Sequence, residues 1–242
     1  MDNLIEGIKK TKWTNILIFY TVACVLTFLF RQIPNLLNKI SVELLDFNIT
    51  FNYNHGLALL ITSIAAYKIF RIKREMTLLG NKPVKAIIFL SVVLIGYAAL
   101  GFNNEYGINS HLWALIFCIL TLIYDLLEES FWRGLLNDSL NLIPFWLRGI
   151  ITGILWALWH LLIFDNFDQF GGLFVFILFS IILSIIMAYT ADKTKSVLVA
   201  ASIHTLLCRT NYVTLICAVI WVLIIIMWNK SLTSDKKIKK VA

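Results

Sequence analysis

The chain has 242 residues, of which 60% are hydrophobic and 14% charged, with a mean hydropathy of +0.82. A soluble domain carries about 25% charged and about 45–50% apolar residues, so a soluble globular protein is excluded and an integral membrane protein is indicated. The net charge of +7 does not point to nucleic acid, because Lys and Arg cluster in short loops and at both ends, where the positive-inside rule places them.

A membrane-spanning helix needs about 20 mostly apolar residues. The first apolar run, 13–30, follows a basic N-terminal stretch. It is long for a signal-peptide core and is followed by Arg31-Gln-Ile-Pro34 instead of a small-residue cleavage site, so it reads as an uncleaved span. Segment 31–54 mixes Leu36, Leu37, Val42, Leu44 and Leu45 with Lys39, Glu43 and Asp46, which suits an interfacial amphipathic helix and a loop. Further spans are predicted at 55–70, 84–102, 111–136, 148–164, 172–191, 196–209 and 211–229. The span 196–209 is short and its break at Arg209-Thr-Asn211 is weak, so a tilted or partial helix is expected there. No repeat or second domain is visible. The fold expected is all-α: a single transmembrane domain over 1–242 with about eight transmembrane helices and a catalytic-type core at about 111–209.

Charge placement supports that count. With a cytoplasmic N-terminus, Lys9, Lys10 and Lys12, the cluster from Lys68 to Lys85, Arg133, Arg148, Lys193, Lys195 and the basic C-terminal residues all fall inside. Only Arg31, Lys39 and Arg209 fall outside, and loops 103–110 and 165–171 contain neither Lys nor Arg. Missing one span midway would destroy this bias, so both termini are read as cytoplasmic in a multi-pass protein of the cell membrane.

The four cysteines lie in apolar segments without CxxC spacing and read as small buried hydrophobes, Cys208 excepted. His55 and His111 sit at outer span ends and read as interfacial. Glu128 and Glu129 are different. They lie side by side within an apolar segment, and a charge at membrane depth costs at least ~2.5 kcal/mol. Glu129 and Arg133 are i and i+4, so a helix pairs them on one face and turns Glu128 about 100° away. Asp125 lies one turn earlier. Two more apolar segments carry one histidine each, His160 and His204. At ~1.5 Å rise per residue, His160 lies about 18 Å from its helix start near Arg148, and His204 and Glu128 lie about 12 Å from the cytoplasmic ends of theirs. The three groups can meet in one layer, expected nearer the cytoplasmic face in a cavity open to the cytoplasm. A glutamate and a histidine can activate water, and a second histidine can donate to an oxyanion. A buried polar cluster that only ties helices together is the bland alternative. Trp156 shares a helix face with His160 and is expected to pack over the site.

Glu-Glu-x-x-x-Arg, then aromatic-x-x-x-His, then His-x-x-x-Asn on successive spans is the signature of the CaaX protease and bacteriocin-processing family, which the chain resembles from roughly residue 111 to 208. Glu128, Glu129 and Arg133 match the first motif fully. Trp156 and His160 match the second, with Trp where Phe is usual. In the third, His204 is present but Cys208 stands where Asn is usual. The resemblance implies an intramembrane endopeptidase in which Glu128 and His160 activate water and His204 faces the oxyanion. Cys208 is a weak donor; Asn211, i+7 from His204, would reach the same face if the helix continued. No cofactor is expected. Zinc is the alternative, since one Glu and two His leave an open fourth position, although the spacing is not HExxH. The implied partners are a peptide or membrane-associated protein substrate and the lipid bilayer. Oligomeric state is not encoded in these features. A peptide-binding immunity protein without activity is the competing function. A transporter is disfavoured by the lack of interrupted spans in repeated positions.

Overall fold

The computed structural model describes residues 2–45, 52–207 and 210–229. Those residues are all-α: α1 (Asp2–Lys10), α2 (Trp13–Arg31), α3 (Leu36–Leu45), α4 (Asn54–Ile69), α5 (Pro83–Leu100), α6 (Ser110–Glu129), α7 (Phe145–Trp159), α8 (Leu173–Thr194), α9 (Val197–Leu207) and α10 (Tyr212–Ile226). α6 does not stop at Glu129. A π-helical stretch, Ser130–Leu136, and a last turn, Asn137–Ser139, carry the same rod onward.

A helix stands at every apolar segment read from the sequence, but they are not equal. Five are long and apolar enough to cross a membrane: Trp13–Arg31, Pro83–Leu100, Ser110–Ser139, Phe145–Leu162 and Leu173–Thr194. α4 has 16 residues, α10 has 15 and α9 only 11. Eleven residues rise about 16 Å, roughly half of the ~30 Å hydrocarbon layer. The described part of the segment expected at 196–209 is α9, and residues 208 and 209 lie outside the described residues. α3 opens the segment expected to be interfacial; residues 46–51 of that segment lie outside the described residues.

The apolar residues face two ways. In the five long spans only 22–44% of the apolar window is buried inside the protein. The rest points outward, as with Leu17, Val25 and Phe28 on α2 and Phe174, Ile182 and Ile186 on α8. Apolar surface left in water costs about 25 cal/mol per Å², so these faces require lipid. The protein is a multi-pass membrane protein.

α6 is the central rod and packs against α4, α5 and α9, while α7 packs along α8. The α7–α8 pair is close because Gly149 and Gly153 carry no Cβ. A Cβ on either would stand 2.5 Å from the Cα of Ile185 or Ile181 respectively. Small residues four apart are how membrane helices let backbones approach. Gly153→Ala is expected to lose about 1–3 kcal/mol through overpacking. A thermal unfolding scan in detergent checks this, and an unchanged midpoint would show that α7 and α8 can part without cost.

The helix ends are sewn together in two layers. On the side of the Lys- and Arg-rich loops, Asp138 Oδ2 accepts from Tyr67 Oη (2.7 Å) and from the Glu75 and Met76 amides (3.0 and 3.2 Å). Thr77 N donates to Lys195 O and Val197 N to Thr77 O. Lys85 Nζ donates to Met227 O and Trp228 O, at 2.7 and 2.8 Å. On the other side Arg31 Nη1 donates to Ile163 O (2.8 Å), and Asn54 Nδ2 to Ile33 O (2.9 Å). Loops 71–82, 137–144 and 195–196 therefore share one side, and loops 101–109 and 163–172 the other.

Candidate active site

Glu128 and Glu129 end the α-helical part of α6, immediately before the π-helical stretch. Ser130 Oγ donates back to Leu126 O (2.6 Å) at that junction. π segments are rare and occur frequently at functional sites. Burial there is complete: Asp125 and Glu129 are 0% exposed, and Glu128 and Arg133 are 1%.

Glu129 is held by a buried ion pair and hydrogen bonds through Oε1, while its Oε2 has only the Arg133 contact. Its carboxylate meets Arg133 Nη1 at 3.2 and 3.3 Å and faces His204 Nδ1 at 3.0 Å. Arg133 Nη2 donates to Ser184 Oγ on α8 (2.8 Å), and its guanidinium lies 5.9 Å from the Trp156 ring. His204 Nδ1 is also 3.5 Å from Asp125 Oδ1, while Asp125 Oδ2 accepts from Thr205 Oγ1 at 2.6 Å. Ionised carboxylates only accept, so Nδ1 of His204 must be a donor. α6, α8 and α9 are thus joined through one buried polar network.

Glu128 points elsewhere. Its Oε2 accepts from Trp156 Nε1 (3.2 Å), while its Oε1 is buried without a hydrogen-bond partner. Such an oxygen in a native interior calls for an explanation, commonly a water or a reacting group. His160 follows the end of α7 and opens a 3₁₀ turn, His160–Leu162. Its Nδ1 lies 2.8 Å from Trp156 O. A carbonyl can only accept, so Nδ1 carries the proton and Nε2 of the neutral ring carries the lone pair. Trp156 spaces the two histidines, with its ring edge-on to His160 at 4.8 Å and to His204 at 5.2 Å. Glu128, Trp156, His160 and His204 line one cavity of about 740 Å³.

The same cavity holds residues that sequence reasoning missed. His55, at the start of α4, is buried within the protein, and its Nε2 sits 2.6 Å from Tyr124 Oη. Tyr124 is one turn before Glu128 and interacts with its carboxylate. The spacing of Tyr124 and Glu128 (i, i+4) was visible in the sequence, whereas nothing there links His55 to either. Asp125 is more than a neighbouring charge, because it also anchors α9 through Thr205.

One expectation lies outside the described residues and two meet a different outcome. Cys208 lies outside the described residues. Asn211 does not continue the His204 helix. α9 is described as far as Leu207, and Asn211 caps α10, its Oδ1 accepting from Val213 N (2.8 Å) and its own amide donating to Thr214 Oγ1 (2.9 Å). Its side chain is occupied by a capping box. The cavity, expected on the side of the basic loops, extends the other way. Its lining runs from Glu128 to Phe117 on α6, from Leu183 to Val175 on α8, and on to Phe170, Leu207 and Thr210. Below the glutamates the way is closed by Phe131, Trp132, Leu135 and Leu136, all 0% exposed. Depth counted from helix ends could not reveal this, because it does not say which half of the layer is packed solid.

Glu129 is held by Arg133 and the Nδ1 atoms of His160 and His204 face a carbonyl and carboxylates, so a zinc ion would have to use Glu128 and the Nε2 atoms of the two histidines. Among the described residues no group of three His, Cys, Asp or Glu side chains is arranged to hold a metal ion.

Fold and site together define a polytopic helical membrane protein with a buried carboxylate–histidine centre. Residues 108–208 match the family described as type II CAAX prenyl endopeptidase Rce1-like, and over that stretch the chain is a domain of the CaaX protease and bacteriocin-processing family. The match runs from just before α6 to just after α9, which takes in Glu128, His160 and His204. No curated protein and no solved structure matches the chain.

Proposed function

We propose that this protein is an intramembrane endopeptidase that hydrolyses a peptide bond of a membrane-associated peptide or protein precursor with water activated by Glu128 and His160. The observation that carries the reading is the pair of vacant acceptors in one cavity: Oε1 of Glu128, without a hydrogen-bond partner, and the lone pair that the Nδ1 bond leaves on Nε2 of His160. A water held there gives a proton to Glu128 as its oxygen adds to the carbonyl carbon. The carbonyl π electrons move onto oxygen. When the tetrahedral species collapses, the C–N bond breaks and the proton held by Glu128 passes to the leaving amine. His204, with Nδ1 donating to Glu129, offers Nε2–H to the oxyanion whenever its ring is protonated. Removing one such donor typically costs ~10²–10³ in rate. Glu129 and Arg133 position His204 and the α6–α8 contact. Trp156 holds Glu128 in place.

The test is cleavage of a peptide library by the purified protein in liposomes, read by mass spectrometry, with and without chelator. Cleavage that chelator does not reduce is the expected result. Loss of cleavage on chelation, restored by zinc, would replace this mechanism with the zinc-dependent version. Folded protein that binds peptides and cleaves none of them would establish the immunity-type binding function, which Cys208 in place of an amide side chain favours. Cys208→Asn is expected to keep or raise the cleavage rate, because an amide is a better donor than a thiol; a clear fall in rate would remove that position from the oxyanion.

A further inference from the structure

We infer that the substrate reaches Glu128 from the face opposite the basic loops, so that this site works on peptides presented at the exterior of the membrane. The word substrate rests on the peptidase reading above; the direction of access does not.

Three observations converge. First, the large cavity is lined only from the catalytic layer outward. Beyond His160 it continues along Phe164, Gln169, Phe170 and Val175 to Thr210, and it includes Asn52 from the segment before α4. All of these belong to the side on which Arg31 meets Ile163. Second, the opposite route is closed by the buried floor of Phe131, Trp132, Leu135 and Leu136 and by the Asp138 and Thr77 ties between loops. A separate cavity of about 270 Å³ does lie on that side, between Tyr67, Arg74, Ser130 and Gly134, but it contains neither a glutamate nor a histidine. Third, the charges orient the molecule. Lys73, Arg74, Lys82, Lys193 and Lys195 belong to the closed side, whereas loops 101–109 and 163–172 on the open side have no Lys or Arg. Positive loops stay in the cytoplasm, so the closed side is cytoplasmic and the cavity faces out.

The mouth also indicates what enters. Phe164 is stacked on the His160 ring at 5.1 Å and Phe176 lies edge-on to it at 5.2 Å, with Phe170 packed against both phenylalanines. They form an apolar seat for a side chain next to the scissile bond. Asp165 and Asp168 are exposed on the same loop, with no cation in it to balance them. An extended peptide with an apolar residue and neutral or basic flanks fits this entrance, and an acidic one is repelled.

The experiment has two arms. Gln169→Cys at the mouth and Leu142→Cys on the closed side are treated in intact cells with a membrane-impermeant maleimide, against the wild-type background. Gln169→Cys should be labelled at once and Leu142→Cys only after permeabilisation; the reverse pattern overturns the inference whatever the activity. In the second arm, fluorogenic peptides charged at both ends, so that they do not cross bilayers, are added to right-side-out and to inverted vesicles. Cleavage by right-side-out vesicles, and by inverted ones only after detergent, is expected. Glu128-dependent cleavage confined to intact inverted vesicles would overturn the access route and leave the peptidase reading standing. Cleavage that Glu128→Gln does not affect would instead remove the peptidase reading.

Discussion

Glu128→Gln should abolish cleavage without lowering the amount of folded protein. The amide has the shape of the carboxylate, and its oxygen can still accept from Trp156 Nε1, now 3.2 Å from Oε2. It cannot take a proton from water. Loss of a general base typically costs ~10²–10⁴ in rate, enough to hide turnover in most assays. Folding should not suffer, because the neutral side chain removes one charge from a layer where each charge is expensive. Side-by-side purification yields, with the peptide assay, separate the two effects. A Glu128→Gln protein with full biological function would mean that hydrolysis is not its task, and peptide binding would take its place.

Arg133→Ala should do the opposite and remove the protein before it removes the chemistry. Arg133 is 1% exposed, pairs with Glu129 at 3.2 Å and donates to Ser184 on α8. Its loss leaves a buried carboxylate facing only His204, and severs α6 from α8. Breaking a buried pair costs about 3–5 kcal/mol, a large share of the ~5–15 kcal/mol that holds a typical fold. A sharply lower folded yield and an earlier thermal transition are expected. Arg133→Lys should recover only part of both, because an ammonium lacks the planar fork that reaches Glu129 and Ser184 together. Normal yield with lost activity would move Arg133 from a positioning role into contact with the substrate.

The positions of the helices were legible because lipid demands uninterrupted apolar runs. Their lengths were not, since α4 and α10 have 16 and 15 residues against the 18–30 of the five long spans. In the site, the order Glu128, His160, His204 was legible as polar residues where polarity is costly. What remained hidden is what closes the centre. The His55–Tyr124 contact joins residues 69 apart in sequence. The Phe131–Leu136 floor is written in the same apolar residues that elsewhere face lipid, and only packing tells the two apart.

Gly149 and Gly153 have a consequence for how such a protein can change over evolutionary time. They let the backbones of α7 and α8 meet at Ile185 and Ile181, which helps to fix the register of the two helices. His160, which lines one cavity with Glu128, directly follows α7, while Val175, Phe176 and Phe179 on α8 shape the cavity wall. Exchanging those wall residues alters the size of the entrance but leaves the register, and hence the place of His160, untouched. If the protein is a peptidase, its peptide preference is free to diversify along the Leu173 end of α8 without reworking Glu128 and His160.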